Sequence, residues 1–439
     1  MSEPFEGRRL HFVGIGGAGM SGLALVAREL GASVTGSDQA ESSYCARLRE
    51  AGIEPVIGHD AANLPEGAEV VVSTAIPDGN PEVGAAAAAG QAILHRGDLL
   101  AELSRMKRTI AVSGTHGKTT TASMAALALR ETGRDPAFVI GGELRAAGTN
   151  AAWGEGDWAV IEADESDRSF LKLARDVAVV TNIELDHHAT YGGLAELEGA
   201  FAEFAGNADV RVLGPDVTLA GAGEEVRFGI EDAQDLVLGP GNSKFKVDEV
   251  QVSLNVPGEH NVLNALAALA ALRAAGVPLE EAAPALASFS GAGRRFEARG
   301  RTESGAQVYD DYAHHPTEVR ATLAGARTLE PRRLVAAFQP HLYSRTQMLA
   351  RDFGRALALA DLIVVLDVYR ARERPEDFPG VSGYQVAEAA ADAAGGRPVW
   401  WLPGLDDAEA QLRGELGEGD LLVTIGAGNV DELARRLAA

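Results

Sequence analysis

Only one cysteine, Cys45, occurs in the 439 residues, which excludes an intramolecular disulfide and any cysteine-rich zinc site and fits a reducing cytoplasm. Basic residues are also scarce. Against 63 Asp and Glu there are 39 Lys and Arg, a net charge of -24, which excludes a broad basic footprint for nucleic acid or anionic lipid. An anionic ligand must therefore be held locally, by helix N-termini, a few Lys or Arg, and metal ions. Long hydrophobic runs are missing too: the Ala-rich stretch from Ala265 is interrupted by Arg273. The start, Met-Ser-Glu-Pro-Phe-Glu, lacks the basic and apolar regions of a signal peptide, so neither export nor a membrane span is expected. What remains is globular composition, 46% hydrophobic and 23% charged.

At about 100 to 200 residues per domain, the length calls for two to four domains, and the pattern reads as three. Each segment opens with a short β-like run and alternates apolar strands with Ala- or Leu-rich helical stretches, as α/β domains with mainly parallel sheets do. The first has strands at Leu10 to Val13, Ala32 to Thr35 and Val70 to Val72, a helix from about Met20 to Leu30, and a loop marked by Pro77, Gly79 and Pro81. It is expected to span 1–97. The second, 98–292, has strands at Thr109 to Val112, Trp158 to Ile161 and Val177 to Val180, and a helix from about Asn261 to Ala275. Ser290-Gly291-Ala292-Gly293 suits a hinge before the third segment, 293–439, with strands near Val308, Leu334 to Phe338, Leu362 to Leu366 and Leu421 to Ile425.

Chemistry concentrates after the strand at Thr109. Ser113-Gly114-Thr115-His116-Gly117-Lys118-Thr119-Thr120-Thr121 leads into the strongly helical Ala122 to Arg130. Strand, glycine loop and helix together form a phosphate cradle: small residues admit backbone N–H groups, the helix dipole favours negative charge, and Lys118 adds a point charge. Thr119 is placed for Mg²⁺. Val112 stands where the usual G-x-x-x-x-G-K-[ST] pattern has its first glycine. Two acidic loops follow strands, Glu162-Ala163-Asp164-Glu165-Ser166-Asp167 and Asn182-Ile183-Glu184-Leu185-Asp186-His187-His188, and such groups beside a phosphate loop are what Mg-nucleotide chemistry needs. The adjacent histidines lack the i, i+4 spacing of a zinc peptidase.

A second glycine motif, Gly14-x-Gly16-x-x-Gly19, follows the first strand, with Asp38 after the next. On physical grounds alone it fits a dinucleotide fingerprint, so an NAD(P)-dependent oxidoreductase stays open at this point.

Together the motifs resemble the Mur ligase family. They are HFVGIGGAGMSGLA from His11, GTHGKTT from Gly114, EADESDRSF from Glu162, TNIELDHH from Thr181, GEHNVLNALAA from Gly258, GRRFE from Gly293, DDYAHHPTE from Asp310 and FQPHLYSRT from Phe338. The resemblance covers the whole chain, and Gly114 to Thr120 matches the family's own form of the loop. It implies an N-terminal Rossmann-like UDP-binding domain, a central P-loop ATPase-like α/β domain and a C-terminal Rossmann-like domain. It implies ligation of L-alanine to the lactyl carboxylate of UDP-N-acetylmuramate through an acyl phosphate, with ATP and Mg²⁺ (Mn²⁺ as substitute), in cytoplasmic peptidoglycan precursor synthesis. A family alternative takes a tripeptide as amine donor, as in peptide recycling. Neither nucleic acid nor membrane is an expected partner, and monomer and dimer both stay open.

Site roles follow from the resemblance. Gly114, Thr115, His116, Gly117, Lys118, Thr119 and Thr120 are expected at ATP, with Lys118 on the phosphates and acyl phosphate, and His260, Asn261, Asn264 and His314 near the adenine. Thr119, Glu162 and His187 are the expected metal ligands. Gly14, Gly16, Gly17, Gly19, Met20, Ser37, Asp38, Ser73, Thr74, His95 and Arg96 are expected around the UDP-sugar, with Arg294 and Arg295 near phosphate or substrate. Arg345, with Tyr312 and His341, is expected to hold the amino acid, since a carboxylate suits a bidentate guanidinium. Many relatives have a second arginine where this chain has Leu342. No lysine occurs between Lys172 and Lys244, so the carbamylated lysine of some relatives is expected to be absent. Closure of the domains around the reactive intermediate is a further expectation.

Overall fold

The computed structural model describes residues 4–187 and 190–438, so His188 of the second acidic loop lies outside the described residues. The chain forms two compact units, one of residues up to 232 with 263–286, the other of 233–262 with 287 onward.

In the first unit, β1 (Arg9–Val13), α1 (Ala18–Glu29), β2 (Ser33–Asp38), α2 (Ser43–Glu50), β3 (Val56–Ile57), β4 (Glu69–Val72), α3 (Pro81–Ala88), β5 (Ile93–His95) and α4 (Arg96–Ser104) follow in order. Their parallel sheet runs β3-β2-β1-β4-β5, a doubly wound order that puts a crevice at the C-terminal end of β1. Pro81 does not extend the loop at Pro77. It opens α3, where a missing N–H costs nothing, and Asn80 caps that helix by accepting from Glu82 N and Val83 N. Gly97, the expected close of the first segment, lies in the first turn of α4.

The same unit continues with β6 (Arg108–Ser113), α5 (Lys118–Glu131), β7 (Ala137–Leu144), β8 (Thr149–Ala152), β9 (Trp158–Glu162), β10 (Val177–Val180), α6 (Leu194–Gly206), β11 (Val210–Leu213) and β12 (Glu224–Arg227). The sheet order is β12-β11-β10-β6-β9-β7-β8, antiparallel only at β7–β8. Because β6 lies between β9 and β10, the loops that follow all three strands converge on the phosphate loop. Every residue of β6 after Arg108 is buried, which accounts for its unbroken apolar and β-branched run.

In the second unit, β13 (Gln234–Gly239), β14 (Asn242–Val247) and β15 (Val250–Leu254) form an antiparallel sheet, where no strands were expected from the sequence. Two helices follow in the chain, α7 (Glu259–Ala274) and α8 (Leu279–Ala285), and from Leu263 onward both belong to the first unit. The last segment holds β16 (Glu297–Arg301), β17 (Gln307–Asp311), α9 (Pro316–Arg327), β18 (Arg333–Phe338), α10 (Tyr343–Leu357), β19 (Leu362–Val365), α11 (Tyr384–Ala393), β20 (Val399–Trp401), α12 (Leu405–Glu415), β21 (Asp420–Ile425) and α13 (Asp431–Leu437). Its sheet runs β16-β17-β21-β18-β19-β20 with cores on both faces. Among the described residues no helix is long and apolar enough to cross a membrane.

Candidate active site

The phosphate loop has the backbone a cradle requires. Gly114 sits at φ 127° and Gly117 at φ 83°. A Cβ on Gly114 would fall 2.1 Å from Thr181 Oγ1 and 2.9 Å from Thr181 N, so neither conformation nor space admits another residue. Gly117 is the N-cap of α5 and offers no side-chain cap, which leaves the first-turn N–H groups to a ligand. Val112 stays on β6, where its carbonyl accepts from Ala163 N at 2.8 Å. The cradle therefore begins after it.

Lys118 curls back over the loop, donating to Gly114 O at 2.6 Å and Thr115 O at 3.1 Å and pairing with Glu165 Oε2 at 2.9 Å. Burial alone would lower its pKa, but Glu165, Asp164 and Glu162 outweigh it and the net shift is upward. Thr119 Oγ1 donates to Glu162 Oε1 at 3.0 Å, and Gly141 N fixes the other oxygen at 2.6 Å. His187, at φ 55°, brings Nε2 to 3.4 Å from Glu165 Oε1. Burial would lower the imidazole pKa, yet Glu165, Asp186 and Asp164 raise it. Hydroxyl, carboxylates and imidazole thus gather beside one ammonium, a donor set that suits a hard divalent cation.

Neighbouring residues lock the loop. His116 N donates to Asn182 Oδ1 at 2.9 Å, and Thr115 Oγ1 donates to Glu184 O at 2.9 Å. Thr120 is buried in the first turn of α5, and Asn264 Oδ1 lies 3.4 Å from Thr121 Oγ1 and against Gly117. Glu165, Asn182 and Thr181 were not singled out from the sequence. Their only signal was membership of the two acidic or polar loops.

At the end of β1, Gly14 has φ 80° and Gly17 caps α1 without a side chain. Asp38 does not stand free for a ribose: Oδ2 accepts from Gly16 N at 2.8 Å and Oδ1 from Ala40 N at 3.3 Å, shaping the loop itself. Met20 is buried. Ser37 is buried as well and donates to Glu82 Oε2 at 2.6 Å, a carboxylate that also meets His11, His59 and Asn63. Ser73 accepts weakly from Ala75 N, and Thr74 is exposed. His95 caps α4, and Arg96 bonds Asp164 and Asp167.

In the second unit, Arg294 is engaged by its own surroundings. Nε donates to Asp310 Oδ2 at 2.9 Å, Nη2 to Gly426 O at 2.8 Å and Nη1 to Gly428 O at 3.1 Å. Arg294 and Arg295 both lie over the Tyr312 ring, at 5.1 and 5.4 Å. Arg345 is 4% exposed, with Nη1 3.2 Å from His341 Nδ1. The His341 ring packs on Tyr369 at 5.8 Å and meets His314 edge-on at 6.1 Å. Tyr369 was not anticipated; nothing in its local sequence marks it. His260 is pushed down to about 4 by burial, and Asn261 donates to Pro257 O at 2.7 Å.

A strand, a glycine loop with a curled lysine, and carboxylates from the neighbouring strand ends define a P-loop-type α/β protein built to hold nucleotide phosphates. Three family models match in chain order: the Mur ligase family catalytic domain over residues 9–108, the Mur ligase middle domain over 112–272, and the Mur ligase glutamate ligase domain over 294–428. The chain belongs to the Mur ligase family. It is 47% identical to the UDP-N-acetylmuramate--L-alanine ligase of Acidithiobacillus ferrooxidans, across 97% of this chain and 96% of that one. The ligase of the same name from Streptomyces coelicolor is 46% identical across 98% and 96%. Among solved structures, the UDP-N-acetylmuramate-alanine ligase of Thermotoga maritima superimposes with a TM-score of 0.85 at 31% identity, covering 98% of each chain. A murein peptide ligase from Psychrobacter arcticus reaches 0.73 at 28% identity, also covering 98% of each.

Proposed function

We propose that this chain joins L-alanine to UDP-N-acetylmuramate in an ATP-dependent reaction, in cytoplasmic synthesis of peptidoglycan precursor. The full-length relatives named for that reaction support the reading. The observation that carries it is the Lys118 ammonium held over the Gly114–Gly117 cradle, beside Glu162 and Glu165. Such an arrangement stabilises phosphoryl transfer between anions, which needs positioning and charge neutralisation more than covalent help.

In the proposed sequence a lactyl carboxylate oxygen attacks the γ-phosphorus of ATP, and the bond to the bridging oxygen breaks as ADP leaves. The alanine nitrogen then attacks the acyl carbon, phosphate leaves, and the nitrogen loses a proton. Lys118 neutralises the transferred phosphoryl group. Thr119, Glu162 and His187 are the residues to hold Mg²⁺ or its substitute Mn²⁺, which when bound neutralises phosphate charge. Gly114 to Thr120 and Asn264 serve ATP, with His260, Asn261 and His314 assigned to the adenine. The Gly14–Met20 loop, shaped from within by Asp38 and backed by the buried Ser37, serves the UDP-sugar together with Ser73, Thr74, His95 and Arg96; Arg295 is assigned near phosphate or substrate, with Arg294 holding the backbone beside it. Tyr312, His341 and Arg345 serve the amino acid. A division at 97/98 and 292/293 assigns these three tasks to three domains, in keeping with the separate sheets.

The test is phosphate release from Mg-ATP and UDP-N-acetylmuramate, run with L-alanine, L-serine, glycine and an alanine-led tripeptide. Fastest release with L-alanine is expected. Preference for the tripeptide would reassign the chain to peptide ligation.

A further inference from the structure

Arg96 is the first residue of α4, and among the described residues both its side-chain hydrogen bonds leave from one nitrogen. Nη2 donates to Asp164 Oδ2 at 2.8 Å and to Asp167 Oδ2 at 3.0 Å. The other oxygen of each carboxylate is committed to the acidic loop itself: Ser166 N donates to Asp164 Oδ1 at 3.0 Å, and Ser169 N to Asp167 Oδ1 at 2.9 Å. The guanidinium therefore registers the shape of the turn over 164–169. That turn directly follows Glu162 and contains Glu165, the partner of Lys118.

The opposite edge of Arg96 faces the N-terminal glycine loop. A Cβ on Gly19 would lie 3.2 Å from Nη1, and among the described residues neither Nη1 nor Nε has a hydrogen-bond partner. Gly19 is in the first turn of α1, whose N-cap offers no side chain, so a favourable dipole and a guanidinium edge converge there. The seam has little slack. A Cβ on Gly97 would come within 2.4 Å of Ser169 Cβ. His95 Nδ1 accepts from Gly97 N at 3.1 Å, which puts the proton of the neutral ring on Nε2; that atom is buried without a hydrogen bond, 3.6 Å from Asp167 Oδ2.

We propose that Arg96 is a two-sided positioning residue: one edge takes an anionic oxygen of the UDP-sugar at α1, and the other, through Asp164 and Asp167, sets the loop that carries Glu162 and Glu165. This rests on the reading that the N-terminal loop holds the UDP-sugar. An anion that fixes Arg96 also fixes the acidic loop, so a second ligand at Lys118 meets a loop already ordered. The two ligands then bind with positive coupling, and linkage makes the effect reciprocal.

Calorimetric titration of UDP-N-acetylmuramate into the full chain, with and without Mg²⁺ and a β,γ-imido ATP analogue, measures the coupling. The wild type is expected to bind the UDP-sugar about fivefold or more tightly when the analogue is present. Asp167→Asn brings that ratio close to one, and Asp167→Glu, which keeps the charge, restores much of it. Arg96→Ala abolishes the coupling and weakens UDP-sugar binding itself about tenfold or more. A wild-type ratio of one, or full coupling in Asp167→Asn, overturns the proposal. A wild type that binds no UDP-sugar at all overturns the functional reading beneath it, so the two failures are distinguishable.

Discussion

Lys118 and Glu165 form a pair whose two halves can be separated by mutation. Their side chains are 14% and 1% exposed, with Nζ 2.9 Å from Oε2. Lys118→Met removes the ammonium and leaves the Glu165 carboxylate buried, and breaking a buried pair in this way costs about 3–5 kcal/mol. His187 Nε2, 3.4 Å from the same carboxylate, offsets part of that, so the lower end of the range is expected. The offset depends on pH. The His187 pKa is raised above its ordinary 6.5, so its stabilising charge is fully present below about pH 6.5 and is lost as pH rises through the shifted value. Lys118→Met is therefore less destabilised at pH 6 than at pH 8. Adding Glu165→Gln removes the stranded charge at similar volume and should recover at least about 2 kcal/mol at pH 8. Turnover should not recover: loss of the cation proposed to neutralise the transferred phosphoryl group costs about 10²–10³-fold or more in kcat. Urea titration read by hydrogen exchange in peptides from β6, α5, β9 and β10 reports the stability of this region, and phosphate release reports turnover. A double variant no more stable than Lys118→Met, or one that turns over normally, would refute the pairing argument.

Three further outcomes are expected. Glu162→Gln keeps the shape, an acceptor for Gly141 N and a donor toward the Thr119 hydroxyl but loses the charge, so the apparent Mg²⁺ affinity, read from the metal dependence of kcat, should fall about tenfold or more; an unchanged metal dependence would exclude Glu162 as a ligand. Arg345→Lys replaces a fork with a point charge and should raise the KM for L-alanine about tenfold while leaving the KM for the UDP-sugar within about twofold. The Asp311 carboxyl is pushed up to about 6 by burial, despite Arg295 and hydrogen bonds from Ala313 N and Phe296 N. Between pH 4 and 6 the folded state thus binds more protons than the unfolded state, and stability falls as pH rises, by about 3 kcal/mol in all. Hydrogen exchange in β17 and β21 should show that loss in the wild type, and Asp311→Asn should flatten it.

The phosphate loop was legible because its requirements are local. Glycine where φ is positive, a lysine at the first helical position and a β-branched strand before it are all written within a dozen residues. The β13–β15 sheet was not, although one of its turns is Pro240-Gly241. The other, Asp248-Glu249, joins Val247 to Val250 as a two-residue loop with φ of 45° and 67°, and such turns usually announce themselves by Asn-Gly or Asp-Gly. The acidic run 162–167 was visible, but not its division of labour. Sequence cannot say that Glu162 faces Thr119, Glu165 faces Lys118, and Asp164 and Asp167 turn toward α4, because that depends on how the turn after β9 is folded. Arg294 looked like a hinge charge. Its φ of 54° and its bonds to Asp310 and two glycine carbonyls come from strands distant in sequence.

The same reasoning bears on Leu342, where the family resemblance set the expectation of a second arginine. Leu342 has φ 72° although it is not glycine, its N–H donates to Tyr369 O at 3.0 Å, and its carbonyl accepts from Thr346 N at 3.1 Å. A leucine held there costs about 1 kcal/mol or more, and it persists because the bridge between His341 and Tyr369 and the first turn of α10 fix it from both sides. The backbone that presents His341 and Arg345 is thus maintained without the second cation. Arg345 can still serve a donor whose carboxylate sits one carbon from the attacking amine, as in L-alanine. In an alanine-led tripeptide the terminal carboxylate lies on the order of 7 Å farther along an extended chain, beyond a guanidinium placed for the α-carboxylate. With Arg345 on the α-carboxylate as proposed, the donor's amine is anchored through its own carboxylate, and the single amino acid is favoured over the tripeptide.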